Sequence, residues 1–355
     1  DYVNPSVNPM FYQQYTDSAP TSNSLIVVSD NRSRVIDYSD IYEYSYDYTS
    51  YSSTVTGYDA EGQITSALQY VTRDASELPV IYEITGHGET SVTGEFADAV
   101  EKANMTLTEL TLLSEEEIPD DAAAIIINGP TSDFSEDDVQ KVIAYLENGG
   151  KALITCTYEH QDLERFNTIL SEYGVERVAG IVMENDGQRY YPGSPYYLLP
   201  DVSYSDYTSS VSGSYIFAPL CEGYTYPSES DDLTYTTLLA TSDSAVAKAD
   251  AANVTTSQYE DGDTMGPLAV ALAVEKTVDD DNTMQLVIVG SPLLFTDSAD
   301  EIVSGNNLSM FTDILGSLVD SDTNSTSVIP VKEYELGTIT VTSVTTLIGG
   351  LAGSI

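Results

Sequence analysis

Apolar residues fall along this chain in two rhythms, and the switch between them predicts its elements. Residues 80–84 form a short apolar run, and residues 96–103 have helical spacing. Residues 107–112 and Ala122–Asn128 again read as strands, the second ending at Gly129-Pro130. Ser135 is placed to cap a helix over 136–148, with Asp138 at the capping-box position and an acidic first turn. Gly149-Gly150 stops that helix, Lys151–Thr155 is the next strand, and 163–173 is a helix ended by Gly174. Strand–helix alternation at this spacing implies right-handed crossovers, and so a parallel sheet with helices on both faces.

The flanking regions are less regular. Residues 24–28 and 34–38 read as a hairpin around Asp30-Asn31, residues 39–58 as an irregular Tyr/Ser/Asp loop, and Ile64, Ala67, Leu68 and Val71 as one face of a helix starting near Glu61. Residues 181–235 break the alternation, with Asn185-Asp186-Gly187 expected as a turn between strands, followed by a Tyr-, Ser- and Pro-rich stretch. Regular structure resumes with strands at 237–241, 268–275 and 284–290, the last two joined by a polar turn at 279–282. A helix is expected over 307–319, with Leu308, Phe311, Ile314, Leu315 and Leu318 on one face, and 320–328 reads as a linker. The boundaries predicted are therefore 1–75, 76–320 with an insertion at about 181–235, and 321–355.

Charge narrows the partners. The chain holds 57 Asp+Glu against 12 Lys+Arg, a formal net charge of −45. Nucleic acid binding needs neutralised phosphates and is excluded as an expectation, as is direct adhesion to anionic lipid. Hydrophobic residues make up 41% of the chain, enough for a substantial core. Abundant Tyr, Ser, Thr and Asp with little Lys suggests a place outside the bacterial cytoplasm. Of 27 tyrosines, ten lie in 1–60 and ten in 190–235, where exposed rings would stack on sugars or anchor a protein. Residues 338–355 carry no charge and read as the first turns of a membrane-spanning helix.

Chemistry concentrates at Gly86-His87-Gly88-Glu89, where a buried strand runs into a glycine-rich turn. Ligands of open α/β sheets meet the chain at such strand ends. His87 is one of two histidines. It is a candidate base or metal ligand with His160, against the plainer reading that it holds the turn. The stretch lacks the third glycine of a dinucleotide loop and the lysine of a P-loop, and Glu89 would repel phosphate, so no cofactor is expected. The acidic clusters lack the spacing of a calcium loop. Cys156, with Glu159 and His160 just after it, suggests a Cys–His hydrolase or amidotransferase. Ile154 and Tyr158, however, stand where a nucleophile elbow needs small residues, and packed thiols at Cys156 and Cys221 are the simpler reading.

Several ordered pieces resemble the extracytoplasmic region of GldG-like proteins, the auxiliary component of ABC-type transport and gliding-motility systems. These are Tyr2-Val3-Asn4-Pro5 with Asn8-Pro9 and Tyr15, the hairpin at 24–38, the helix at 64–71, the "vyxltGHGE" signature at 80–89, Val287-Ile288-Val289-Gly290-Ser291 with Gly305-Asn306-Asn307, and 331–340. The resemblance spans nearly the whole chain. It implies an α/β fold of flavodoxin-like or glutamine-amidotransferase-like type, preceded by a partial thioredoxin-like segment, with related domains in intraflagellar-transport proteins. It also implies a non-catalytic role, anchorage by flanking transmembrane helices in a bacterial cell membrane, and partnership with an ABC permease and ATPase. Cell-envelope polysaccharide is the alternative partner. The binding cleft expected on this reading comprises Gly86, His87, Gly88, Glu89, Asn128, Glu159 and His160, with no catalytic or metal-binding residue.

Overall fold

A computed structural model describes residues 1–30, 32–47, 52–73, 78–279, 282–319, 329 and 331–334. The chain divides into two units, Asp1–Arg73 with Val328–Ile355, and Asp74–Ser327.

In the first unit, β1 (Leu25–Val28) and β2 (Ser33–Ile36) form the expected antiparallel hairpin, with Leu25 opposite Ile36. The tract expected to be an irregular loop instead contains β3 (Tyr42–Asp47) and β4 (Ser52–Tyr58), paired antiparallel. The correction has a physical cause. Tyr42, Tyr44 and Tyr46 recur at every second position, and aromatic and hydroxyl side chains suit a pleated, half-exposed surface as well as aliphatic ones do. Lys332–Glu333 adds a short strand beside β4. Helix α1 (Ala60–Thr72) buries Ala67 and Val71, and Ala67 packs with Ile36 and Ile41 in a small core.

The second unit alternates as predicted through β5 (Val80–Thr85), α2 (Glu95–Lys102), β6 (Thr106–Thr111), β7 (Ala122–Asn128), α3 (Glu136–Glu147), β8 (Lys151–Thr155) and α4 (Glu164–Glu172). Short strands follow: β9 (Glu176–Val178), β10 (Ile181–Met183), β11 (Tyr197–Leu198), β12 (Asp201–Val202), β13 (Ala218–Pro219) and β14 (Gly223–Thr225). Then come β15 (Thr234–Ala240), β16 (Val246–Lys248), β17 (Thr264–Met265), β18 (Ala269–Asp279), β19 (Asn282–Val289), the short α5 (Asp297–Asp300) and α6 (Asn306–Leu318). The turn at 185–187 does not join paired strands, because β10 pairs with the distant β16. Residues 280–281 of the polar turn, the linker at 320–328 and the uncharged tail at 338–355 lie outside the described residues. No helix among the described residues is long and apolar enough to cross a membrane.

The main sheet has the order β12-β15-β18-β19-β8-β7-β5-β6, with β14 and β9 attached beside β18. Strands β19, β8, β7, β5 and β6 are parallel, and β18, β15 and β12 extend them antiparallel. Pleat alternation divides the side chains between two faces. Ile125, Ile127, Ala152 and Ile154 pack against Val139, Val142 and Leu146 of α3 and Phe166 and Ile169 of α4. Their buried alternates, including Ile126 and Leu153, point to the opposite face. Phe96 of α2, Phe311 of α6 and Phe295 form an aromatic trio with ring centroids 5.1–6.0 Å apart. Helix α3 starts where the cap predicts, with Ser135 Oγ accepting the Asp138 amide at 3.1 Å. The chain steps from β5 to β6 on one side and then to β7 on the other. The sheet direction therefore reverses between β5 and β7, where open α/β folds open a crevice at the strand ends.

Candidate functional site

The expected cleft residues lie in three loops that leave the carboxyl ends of β5, β7 and β8. Gly86 and Gly88, which flank His87, have φ of +118° and +79°. At Gly88 a Cβ would lie 2.1 Å from Thr131 Oγ1, so only glycine lets these two loops touch. The His87 carbonyl accepts the amides of Thr131 (2.9 Å) and Ser132 (2.8 Å), and its own amide donates to Glu89 Oε2 at 2.7 Å. Its ring stacks on Phe134 with centroids 3.7 Å apart.

Both ring nitrogens of His87 face carboxylates. Nδ1 lies 2.9 Å from Glu89 Oε1, and Nε2 lies 3.3 Å from Asp138 Oδ2. Only the doubly protonated ring can donate to both. Burial opposes that charge, but Glu89 and Asp138 outweigh it and raise the His87 pKa above its ordinary value. Asp138 is buried too. Burial works against its charge, but the Ser135 hydroxyl, His87 and Lys141 prevail and hold its pKa below the ordinary carboxylate value.

The stability linkage follows from these signs. The His87 contribution is fully present below the unfolded pKa of about 6.5 and is lost as pH rises through the higher folded value. The Asp138 contribution is present above the unfolded value and is lost as pH falls through the lower folded one. The melting temperature of the second unit should therefore decline as pH rises above about 6.5, and His87→Gln should flatten that decline. An equal decline in the variant would remove His87 as its cause.

A second set of bonds closes the reversal point. The Thr90 amide donates to the Asn128 carbonyl at 2.9 Å, and Asn128 Nδ2 donates to the Thr90 carbonyl at 2.8 Å. Asn128 Oδ1 accepts from Thr155 Oγ1 at 2.7 Å, and the Gly129 amide donates to the Thr155 carbonyl at 3.1 Å. The ends of β5, β7 and β8 are thus stitched to one another by the chain's own donors and acceptors. Both ends of the Asn128 amide are used, and so are both nitrogens of His87.

Glu159 and His160 sit in a single turn after β8, Glu159 exposed and His160 half-buried. The partners of His87 are Glu89 and Asp138, not these two. Among the described residues no group of His, Cys, Asp and Glu is arranged to hold a metal ion.

Cys156 and Cys221 are buried and unpaired, in keeping with the packed-thiol reading. Burial pushes the Cys156 thiol up to about 12, opposite to what an activated nucleophile requires. A thiol reagent should label neither cysteine in the folded protein and both after unfolding. Fast labelling of native Cys156, lost in Cys156→Ala, would contradict this.

Sequence reading missed the strongest polar feature of this region. Arg177 on β9 and Glu222 form a buried bidentate pair, with Nε to Oε1 and Nη2 to Oε2 both 2.7 Å. The other Arg177 donors reach the carbonyls of Thr157 (2.9 Å) and His160 (3.0 Å) and Asn167 Oδ1 (2.9 Å). All five guanidinium N–H groups are satisfied. Gln161 Nε2 adds a bond to Glu222 Oε2 at 3.1 Å. This pair fixes the loop that carries Glu159 and His160. The available signal was the scarcity of cations, since an arginine in a chain with only 12 basic residues invites a search for its partner.

An α/β unit with a mostly parallel central sheet and hydrogen-bonded strand-end loops is the class of protein these observations define. Residues 78–191 match the model of a family described as an ABC-type uncharacterized transport system. The match centres on β5 to β8 and their loops. No curated protein matches the chain in sequence. Among solved structures, the mmIFT52 N-terminal domain is similar in fold, with a TM-score of 0.52 at 16% identity over 68% of this chain and 98% of that domain. A structure of PurLQS from Thermotoga maritima has a TM-score of 0.37 at 14% identity, covering 68% of this chain and 99% of that one.

Proposed function

We propose that this chain is the non-catalytic extracytoplasmic part of a membrane-anchored auxiliary protein of an ABC transporter, of the GldG-like kind. The observation that carries the reading is the stitched reversal point. At that point Asn128 bonds the Thr90 backbone and the Thr155 hydroxyl, while His87 is committed to Glu89 and Asp138. Such a sheet edge presents a fixed polar surface in which the His87 ring is held between two carboxylates. The parallel strand order β6-β5-β7-β8-β19 supports a flavodoxin-like or glutamine-amidotransferase-like reading, on which the first unit would be the remnant of a thioredoxin-like segment. On this reading Gly86–Glu89, Asn128, Glu159 and His160 shape a contact surface for the transporter. The permease and the ATPase are separate polypeptides.

Purification of the full-length protein from detergent-solubilised membranes tests the assignment. Co-purification of an ABC permease with its ATPase is the expected result. Isolation without either, or amide hydrolysis by the pure protein that disappears in Cys156→Ala, would overturn it.

A further inference from the structure

The first unit carries an exposed aromatic surface that the transporter reading does not use. Tyr42 on β3 stands opposite Tyr58 on β4, and Lys332 stands opposite Tyr58 on the other side. The Tyr42 ring lies 5.2 Å from that of Tyr38 and 5.5 Å from that of Tyr58, centroid to centroid. The Tyr334 amide donates to the Thr56 carbonyl at 2.7 Å, which by strand alternation puts Tyr334 on the same face as Tyr58 and Tyr42. Tyr38 most strongly, then burial, Tyr58 and Tyr334, raise the pKa of the Tyr42 hydroxyl. Tyr38, Tyr58 and Tyr334 are 41%, 37% and 47% exposed.

Two features select what this surface fits. The rings are tilted by 52° and 60° to their neighbours, so they meet edge to face and not as one stack. The face of an exposed tyrosine attracts a cationic head, and such rings make up this surface. Carboxylates border it. Asp37 is held ionised by hydrogen bonds from Ser24 and Thr21, Asp40 is exposed beside Tyr38, and Glu61 reaches Lys332. The same unit already holds cations on tyrosine, since the guanidinium groups of Arg32 and Arg34 each lie 4.9 Å from the Tyr70 centroid. A net charge of −45 draws basic chains and repels acidic ones.

We propose that the cluster of Tyr38, Tyr42, Tyr58 and Tyr334 docks a lysine- or arginine-rich segment of a partner protein, with the cationic heads over the rings and Asp37 and Asp40 as counter-ions.

The test must separate this surface from the general acidity of the chain. Calorimetric titration of the whole protein with oligo-arginine and oligo-lysine of about ten residues, at ~0.15 M salt to screen distant charges, provides the reference. Tyr38→Ser and Tyr334→Ser leave the net charge unchanged. Each should weaken oligo-arginine binding about two- to fivefold, and the pair about tenfold, while Tyr38→Phe keeps the ring and the affinity. Arginine should bind more tightly than lysine, because its planar head stacks. Both serine sites are exposed, and an unchanged thermal melt will establish that the variants fold. Equal affinity in the variants would assign binding to the overall field and overturn the proposal. So would an absence of binding, or tyrosine-dependent binding of a neutral oligosaccharide in place of the peptides. None of these outcomes bears on co-purification with a permease, so this proposal and the transporter assignment stand or fall separately.

Discussion

Replacing Arg177 by methionine should destabilise the second unit by about 3–5 kcal/mol, the usual cost of leaving one partner of a buried ion pair uncompensated. Glu222 is fully buried, and without the guanidinium its main remaining side-chain donor is Gln161. The His160 carbonyl loses the Arg177 donor in the same step, and the Thr157 carbonyl is left with the His160 amide. Solvent screening offers little relief, because the Arg177 side chain is only 7% exposed. Urea unfolding followed by circular dichroism measures the loss. Pairing Arg177→Met with Glu222→Leu should restore much of the stability, since an apolar pair of similar size avoids the stranded charge. A single variant within about 0.5 kcal/mol of the parent would show that the pair does not hold the β8 loop in place.

Asn128→Ala should cost about 1–3 kcal/mol, chiefly because it strands the buried Thr155 hydroxyl, whereas the carbonyl of the exposed Thr90 can turn to water. Its consequence is local as well as global. With the side-chain bond gone, the Thr90 amide remains the only described link from that residue to Asn128, and its hydrogen exchange should accelerate well beyond that of amides in β7. Thr155→Val removes one half of the stitch and should cost less. If Asn128→Ala left both urea midpoint and exchange unchanged, the closed reversal point would owe nothing to this side chain.

Much of the second unit was legible in the sequence for a simple reason. Parallel strands covered on both faces must be apolar throughout, so Ala122–Asn128 and Lys151–Thr155 stand out as runs bounded by glycine, and their limits were read to the residue. Ser135 and its acidic first turn marked the start of α3 equally well, because capping is a local signal. His87 stood out as an imidazole held between two glycines. Its two carboxylate partners were split by distance in the chain. Glu89 is two residues away, while Asp138 lies on α3 and had already been read as part of that helix's cap. The structure gives it both duties.

Other features had no local signature. Arg177 and Glu222 are brought together by β9 pairing with β14, and neither strand is long enough to show a pattern. The strands β3 and β4 were concealed by the expectation that tyrosine and serine mark a loop. Their alternation was visible, but it lacked the aliphatic residues that usually announce a strand. The pairing of β10 with β16 leaps over the whole Tyr-rich stretch, and no turn signal can predict a partner so remote.

The position of β19 governs the order in which this sheet can be assembled. Gln285 lies in register with Lys151, so the inner flank of β8 stays bare until a strand from much later in the chain arrives to cover it. Neighbours so distant in sequence make closure entropically slow. A nascent chain that has released β5 through β8 therefore carries an unsatisfied, strongly apolar border throughout the synthesis of the intervening segment. Ribosome-bound fragments ending before residue 282 are the species in which aggregation, or capture by a chaperone, should concentrate.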